Sequence, residues 1–294
     1  MTSQANTLDA FDLVKRLKRG AGEHKGDAGK VILIGGAPGM AGALLLAGKA
    51  CLHLGAGWTI LEMLDPASAH ADSELPELMI RQAKQDMHKT LLSTSPDVIA
   101  IGPGLGQSDF AYHCLRVALQ YPKVPLVIDA DALNLLSASA ELLELLKTRN
   151  QQFPAHTVLT PHPGEAGKLL HTSTEHIQDD RNKSVNQLVA LTQSIVVLKG
   201  QHTLIASPQH SPVQCLAGNP GMGTGGMGDV LTGSIAAIAG QGIHHHLDLW
   251  QSTGIAVELH ASAADQLVKQ GVGPIGLTPS ENILAMRALL NKVL

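Results

Sequence analysis

GNPGMGTGGMGD occupies positions 218–229 and runs directly into VLTGSIAAIAG at 230–240. Glycines at 218, 221, 223, 225, 226 and 228 leave a backbone that a ligand can approach without meeting side chains, and the apolar stretch behind them reads as a helix. N–H groups at a helix start point outward and, aided by the dipole, attract anions, so phosphate is the natural guest. Gly225, Gly226, Met227 and Gly228 are the expected anion hole. Two registers, Gly221-x-Gly223-x-x-Gly226 and Gly223-x-Gly225-x-x-Gly228, satisfy the dinucleotide fingerprint. That fingerprint directly follows a buried strand, whereas here Pro220 would remove a ladder donor. The Walker spacing fails as well, because no Gly-Lys-Ser/Thr closes the loop.

Asp229 puts a carboxylate where the helix start would bind an anion. Its plainer role is a first-turn acid, worth on the order of 1 kcal/mol. Its sharper role is to take the proton of a substrate hydroxyl as that oxygen attacks a phosphoryl group held by the loop amides. The company of six glycines in twelve residues favours the sharper one.

Outward from this loop, short β-branched runs alternate with helix-period segments, the pattern of βαβ units whose parallel strands are buried on both faces. Strands are expected at Val31–Gly35, Trp58–Leu61, Val98–Ile101, Leu126–Asp129, Val158–Thr160, Ile195–Lys199 and Thr203–Ala206. Helices are expected at Ala41–Leu54, Phe110–Leu119, Ala132–Leu146, Gly164–His171 and Asn182–Thr192, with a short one at Leu8–Leu17. The fold class is therefore α/β, a layered domain over residues 26–294 preceded by a helical extension over 1–25. The polar stretch Asp65–Met87 reads as a solvated excursion, and His244, His245 and His246 as surface residues of a Gly-rich turn.

Composition narrows the function. Lys plus Arg (21) against Asp plus Glu (25) gives −4 over 294 residues, so no basic stripe answers a nucleic-acid backbone. Only three Phe, two Trp and two Tyr stand against 30 Gly, which leaves no stacking platform for single strands. Three scattered cysteines, Cys51, Cys114 and Cys215, fit a reduced compartment, and no stretch has the length of a membrane span or the pattern of a leader. The expectation is a cytoplasmic protein with neither nucleic acid nor membrane as partner.

Further motifs fall at strand ends, where ligands bind in open α/β sheets. Gly102-Pro-Gly-Leu-Gly106 ends one strand, Gly35-Gly36 another, and Asp129-Ala-Asp131 a third, with Asp131 a candidate helix cap and Asn134 facing the same crevice. Thr160-Pro-His-Pro-Gly-Glu165 holds His162 on a stiff elbow, as a donor to phosphate or amide or as a packed loop residue. Lys199-Gly-Gln-His-Thr203 joins two strands, its lysine steering phosphate or projecting into solvent.

The ordered set GGAPGMAGA (35–43), GPGLG (102–106), DADALN (129–134), TPHPGE (160–165), KGQHT (199–203) and GNPGMGTGGMGD (218–229) resembles the ADP-dependent NAD(P)H-hydrate dehydratases of the ribokinase-like superfamily. The resemblance runs from about Gly26 to the helix start at Gly276–Ser280. It implies a ribokinase-like fold with a mostly parallel central sheet flanked by helices. It also implies a hydro-lyase that removes water from the S form of hydrated NADH or NADPH while ADP becomes AMP and phosphate. Relatives can carry an N-terminal epimerase domain, which twenty-five leading residues cannot hold, so the likeness is to the stand-alone form working beside a separate epimerase.

The resemblance implies that Asp229 is the catalytic base, that Ala43, Gly106 (or Gly104), His162 and Asp229 contact the hydrated dinucleotide, and that Lys199, Gly200, Gln201, His202, Thr203 and Gly228 contact the AMP part of the nucleotide. Gln201 and His202 depart from the small residues frequent in relatives, which bears on side-chain contacts there and leaves the backbone role intact. Mg²⁺ and ADP as co-substrate follow from the family and from phosphoryl transfer, with no metal ligands legible. A homo-oligomer, a tetramer among its forms, is implied too. Two other readings use the same loop: a small-molecule alcohol kinase of this superfamily, and a nucleotide-binding sensor without turnover.

Overall fold

The computed structural model describes residues 6–72 and 74–294; the first five residues of the N-terminal extension and Ser73 within the expected excursion lie outside them. Strands and helices are numbered in chain order. β1 (Asn6–Thr7), β2 (Lys30–Gly35), β3 (Trp58–Met63), β4 (Met79–Gln82), β5 (Val98–Ile101), β6 (Leu126–Ile128), β7 (Thr157–Leu159), β8 (Ile195–Leu198), β9 (Leu204–Ser207) and β10 (His210–Gln214) form one sheet. Its order is β1-β10-β9-β8-β7-β6-β5-β2-β3-β4. From β8 to β4 every pairing is parallel, and only β9 runs against its neighbours.

The central strands are apolar on both faces because helices cover both. Val31, Leu33, Val98, Ala100, Val127 and Val158 face one layer; Ile32, Ile34, Ile99, Ile101, Ile128 and Leu159 face the other. The first layer holds α1 (Phe11–Val14), α2 (Ala41–His53), α10 (Met227–His244), α11 (Leu249–Lys269) and α12 (Pro279–Val293). The second holds α3 (Met87–Thr94), α4 (Asp109–Gln120), α5 (Ala130–Ala138), α6 (Ala140–Gln152), α7 (Pro163–Leu169), α8 (Thr174–Asp179) and α9 (Arg181–Thr192). This is the flanked, mostly parallel sheet that the resemblance implies. Ala10, Val14 and Leu17 of the leading segment are buried in the same core as α11 and α12.

Four local expectations change. The Leu8–Leu17 helix is α-helical only over Phe11–Val14 and tightens into a 3₁₀ turn at Lys15–Leu17. The expected helix Ala132–Leu146 is two helices, broken at Ser139, whose extended backbone and Oγ, accepting from Leu142 N–H at 3.2 Å, start α6. The Asp65–Met87 excursion contains β4, which pairs in parallel with Ile60–Met63 at the sheet edge. An edge strand covered on one side only, with mostly exposed side chains, carries little apolar pattern to be read. α10 also runs through Gly240 and Gly242 to His244, so the histidine run closes a helix instead of sitting in a Gly-rich turn; His244 and His245 face Asp27 (3.8 Å) and Glu23 (3.5 Å).

Because the strands from β2 to β8 are parallel, their carboxyl ends share one edge. Gly35-Gly36, Gly102–Gly106, Asp129, Thr160–Glu165 and Lys199 all emerge there. α10 brings its first turn to the same edge by packing closely on α2. A Cβ at Gly233 would stand 1.9 Å from the Ala47 carbonyl oxygen, so the two helices touch backbone to backbone. Gly233→Ala should cost about 2–3 kcal/mol and lower Tm by roughly 5–10 °C. Gly42→Ala, in α2 with nothing near its Cβ, should leave Tm unchanged or raise it. Thermal unfolding of the pair checks the crossing.

Candidate active site

The glycine loop starts with Asn219, whose Oδ1 accepts from Gly221 N–H at 3.0 Å and caps a short 3₁₀ turn at Pro220–Met222. Asp265 of α11 holds the loop from behind, accepting from Gly218 N–H and Asn219 Nδ2, each at 2.9 Å. Gly226 then turns the chain into α10 at φ 97°, and a Cβ there would lie 2.5 Å from Leu46 Cδ1. Only glycine satisfies both demands.

Among the described residues, the N–H groups of Gly225, Gly226, Gly228 and Asp229 make no hydrogen bond. Met227 differs from the expectation: its N–H closes on Thr224 O at 3.3 Å and its side chain is buried against Ala264 and Leu277, so it is not part of an open anion hole. The donors that remain are on the glycines and on Asp229 itself.

Lys199, Gly200, Gln201, His202, Thr203 and Gly228 line one cavity of ≈ 530 Å³, so the residues expected for the nucleotide converge. Its other walls include Ala217–Pro220, Met222, Met227, Leu231 and a face of α11 comprising Val257, His260 and Ala261. The α11 wall was not legible in sequence, since an aliphatic helix face looks the same in a core and in a pocket. His260 is buried, which pushes its imidazole down to about 4, so it is neutral.

Lys199 does not project into solvent. Its ammonium lies 2.7 Å from Asp129 Oδ1 and 3.8 Å from Glu165 Oε2, with 18% of the side chain exposed against 1% for Asp129. Burial alone would lower the ammonium, but Asp129 and Glu165 override it and hold Lys199 above the usual lysine range. Thr232, one turn after Asp229 on α10, donates to Asp129 Oδ2 at 2.7 Å.

His162 begins α7 as a capping residue. Its Nδ1 accepts from Gly164 N–H (3.0 Å) and Glu165 N–H (3.4 Å), while Glu165 Oε2 accepts from His162 N–H at 2.8 Å. The proton therefore sits on Nε2, 3.4 Å from Glu165 Oε1, on a ring 56% exposed. Burial and the neighbouring Lys199 push the imidazole below its ordinary value, so it stands as a neutral donor.

Ala43 lies in the first turn of α2, and a Cβ at Gly104 would touch it at 3.2 Å. Gly104 is enclosed by Met40, whereas Gly106 is half-buried and donates its N–H to Asp131 Oδ2 at 2.9 Å. Asp131 thus ties the GPGLG turn to the Asp129 loop, and Asn134 Oδ1 accepts from Lys168 Nζ at 2.7 Å. Asp129 and Glu165 fall inside sequence motifs that mark no task for them, and Thr232 and Asp265 stand out in no motif. The position of Asp129 and Glu165 just beyond strand ends was the available signal.

The Asp229 carboxylate makes no hydrogen bond or ion pair among the described residues. Burial, with Asp129 next, raises its carboxyl to about 7; Asp131 and Glu165 add to the rise and Lys199 opposes it. A carboxylate near neutrality facing free helix amides can take a proton from a hydroxyl while those amides hold an anion.

The sequence profile described as NAD(P)H-hydrate dehydratase matches residues 31–283. The chain belongs to the NAD(P)H-hydrate dehydratase family. Within it, a Neisseria meningitidis ADP-dependent (S)-NAD(P)H-hydrate dehydratase is 34% identical over 94% of this chain and 89% of its own length. A Coxiella burnetii bifunctional NAD(P)H-hydrate repair enzyme is 39% identical over 93% of this chain and 53% of its own. The chain spans about half the length of such bifunctional relatives. The crystal structure of a Bacillus subtilis ADP/ATP-dependent NAD(P)H-hydrate dehydratase, co-crystallised with ATP and Mg²⁺, superposes with TM-score 0.83 at 26% identity over the whole of both chains. No helix among the described residues of this dehydratase-family chain is long and apolar enough to cross a membrane.

The Asp229 carboxyl carries a stability signature. Its value rises from 3.8 to about 7 on folding, so the stability it contributes is complete below about pH 3.8 and is lost as pH rises through 7. Asp229→Asn should therefore raise Tm at pH 8, with the gain vanishing toward pH 4. Unfolding scans across that range read the sign directly.

Proposed function

We propose that this chain dehydrates the S form of hydrated NADH or NADPH at the expense of ADP, restoring the reduced dinucleotide and releasing AMP and phosphate. The observation that carries this reading is Asp229, raised to about 7 and unpaired among the described residues, set beside free N–H groups at the start of α10. A hydrate hydroxyl is a poor leaving group; as a phosphate ester it leaves readily. Asp229 takes the hydroxyl proton as that oxygen attacks the β-phosphoryl group of ADP, and the amides of Gly225, Gly226, Gly228 and Asp229 stabilise the charge in transfer. The phosphate then departs with the electron pair of the C–O bond, the neighbouring ring carbon gives up a proton to solvent, and the electrons of that C–H bond restore the ring double bond.

The cavity under Lys199–Thr203 and Gly228 takes the nucleotide, with its rings on aliphatic walls. Ala43, Gly106 and the Nε2–H of His162 take the hydrated dinucleotide, and Gly104 shapes the turn from beneath. Mg²⁺ supplies charge neutralisation on the phosphates. Among the described residues no group of three metal-ligating side chains converges; Mg²⁺ is commonly held by one or two carboxylates together with the substrate phosphates. A separate epimerase supplying the S form, a homo-oligomeric assembly and a cytoplasmic setting belong to the same reading, the last supported by three free, buried cysteines.

Incubation with hydrated NADH and ADP should restore the absorbance of reduced nicotinamide and yield AMP. No recovery with ADP or ATP overturns the reading, and a stable phosphorylated alcohol replaces it with a kinase. kcat/KM should rise tenfold per pH unit up to a bend near 7, the value at which Asp229 ionises. Asp229→Asn should lower kcat by roughly 10²–10⁴-fold while nucleotide binding, followed by calorimetry, stays within a fewfold.

A further inference from the structure

Asp129 is 1% exposed, so it cannot touch a ligand, yet both of its carboxylate oxygens are committed toward the site. Oδ1 holds the Lys199 ammonium at 2.7 Å and Oδ2 accepts from Thr232 at 2.7 Å. Thr232 lies one turn beyond Asp229 on α10, Lys199 directly follows β8, and Asp129 lies between β6 and α5, at the N-cap position of that helix. A Cβ on Gly228 would stand 3.3 Å from Lys199 Nζ and 3.7 Å from Asp129 Oδ2, so this ion pair is pressed against the first turn of α10. Three elements are thus locked through one buried carboxylate directly beneath the residue that precedes Asp229.

We propose that Asp129 is a positioning residue, which clamps Lys199 beneath the Gly228 turn and thereby fixes the field in which Asp229 exchanges its proton. The charged and titratable groups facing Asp229 are Asp129 and Asp131 from the β6–α5 corner, Glu165 from α7 and Lys199 from β8. Close by, His162 and Lys168 of α7 and His260 of α11 also sense Lys199 or are sensed with it. Asp129 acts in two ways. Its own charge opposes ionisation of Asp229, and its grip on Lys199 fixes the place from which that ammonium favours it. The proposal rests on Asp229 being the base.

The test compares the pH dependence of kcat/KM for the dehydration in wild type, Asp129→Asn, Lys199→Met and the double variant, from roughly pH 5.5 to 9. Asp129→Asn should move the acid limb down by roughly 0.5–1 pH unit and lower kcat at the plateau by roughly 10–100-fold. Lys199→Met should move the limb up, since Asp129 is then left uncompensated. The double variant should return it close to the wild-type position. A role confined to packing would change Tm and kcat but leave all four limbs together.

Asp129→Asn strands a buried ammonium; if it does not fold, the double variant strands none, and its limb must lie below that of Lys199→Met. Coincident limbs, or an upward shift in Asp129→Asn, overturn the proposal. If Asp229→Asn is inactive while the limbs coincide, only the role of Asp129 falls. If Asp229→Asn retains full turnover, the base assignment falls and takes this proposal with it.

Discussion

The backbone contact between α10 and α2 is the constraint on which the site depends. Gly233 allows α10 to settle against the Ala47 carbonyl, and Gly226 then fits between Leu46 and Pro279 as the chain turns into the helix. Any side chain at either place would lift the helix, and with it Asp229, away from the carboxyl edge of the sheet. α10 is buried along most of its length, so its position is set by packing on several sides and not by its own propensity. The free donors at its start are therefore held by a rigid body, the condition under which oriented amides stabilise charge effectively.

The same edge concentrates negative charge. Asp129, Glu165 and Asp229 stand around Lys199 and Asp131 adds its charge on Asp229, an arrangement that holds the Asp229 carboxyl near pH 7 and gives anionic substrates no help on arrival. The lysine is already engaged by two of the carboxylates, so attraction of phosphate falls to backbone amides and to whatever cation accompanies it. Such a site trades affinity of the free protein for the basicity of one group, and the stability cost of ionised Asp229 is the thermodynamic mark of that trade.

Much of this was readable from the chain because parallel sheets announce themselves. β2, β5, β6, β7 and β8 are buried on both faces, so each appears as an uninterrupted apolar run, and each is followed at once by its site motif. β4 escaped because an exposed edge strand has no apolar face to display, and the break at Ser139 escaped because two amphipathic helices in succession look like one. The glycines of the loop were visible, but which amides stay free was not: the closure of Met227 on Thr224 depends on a turn that composition does not encode. Asp129 was seen as part of a motif, whereas its task depends on Lys199 and Thr232, 70 and 103 positions away in sequence. Long-range pairings of this kind leave no local pattern.

The cap at the start of α7 has a consequence for timing. Because the helix amides occupy Nδ1 of His162, the tautomer of this ring is decided when the chain folds. The outward nitrogen then bears its hydrogen before any ligand arrives, and protonation from solvent would have to break the cap. A histidine, ordinarily the side chain most responsive to physiological pH, is converted into a fixed donor that behaves like an amide. The orientational entropy of that donor is spent once per molecule, during folding, and not once per turnover.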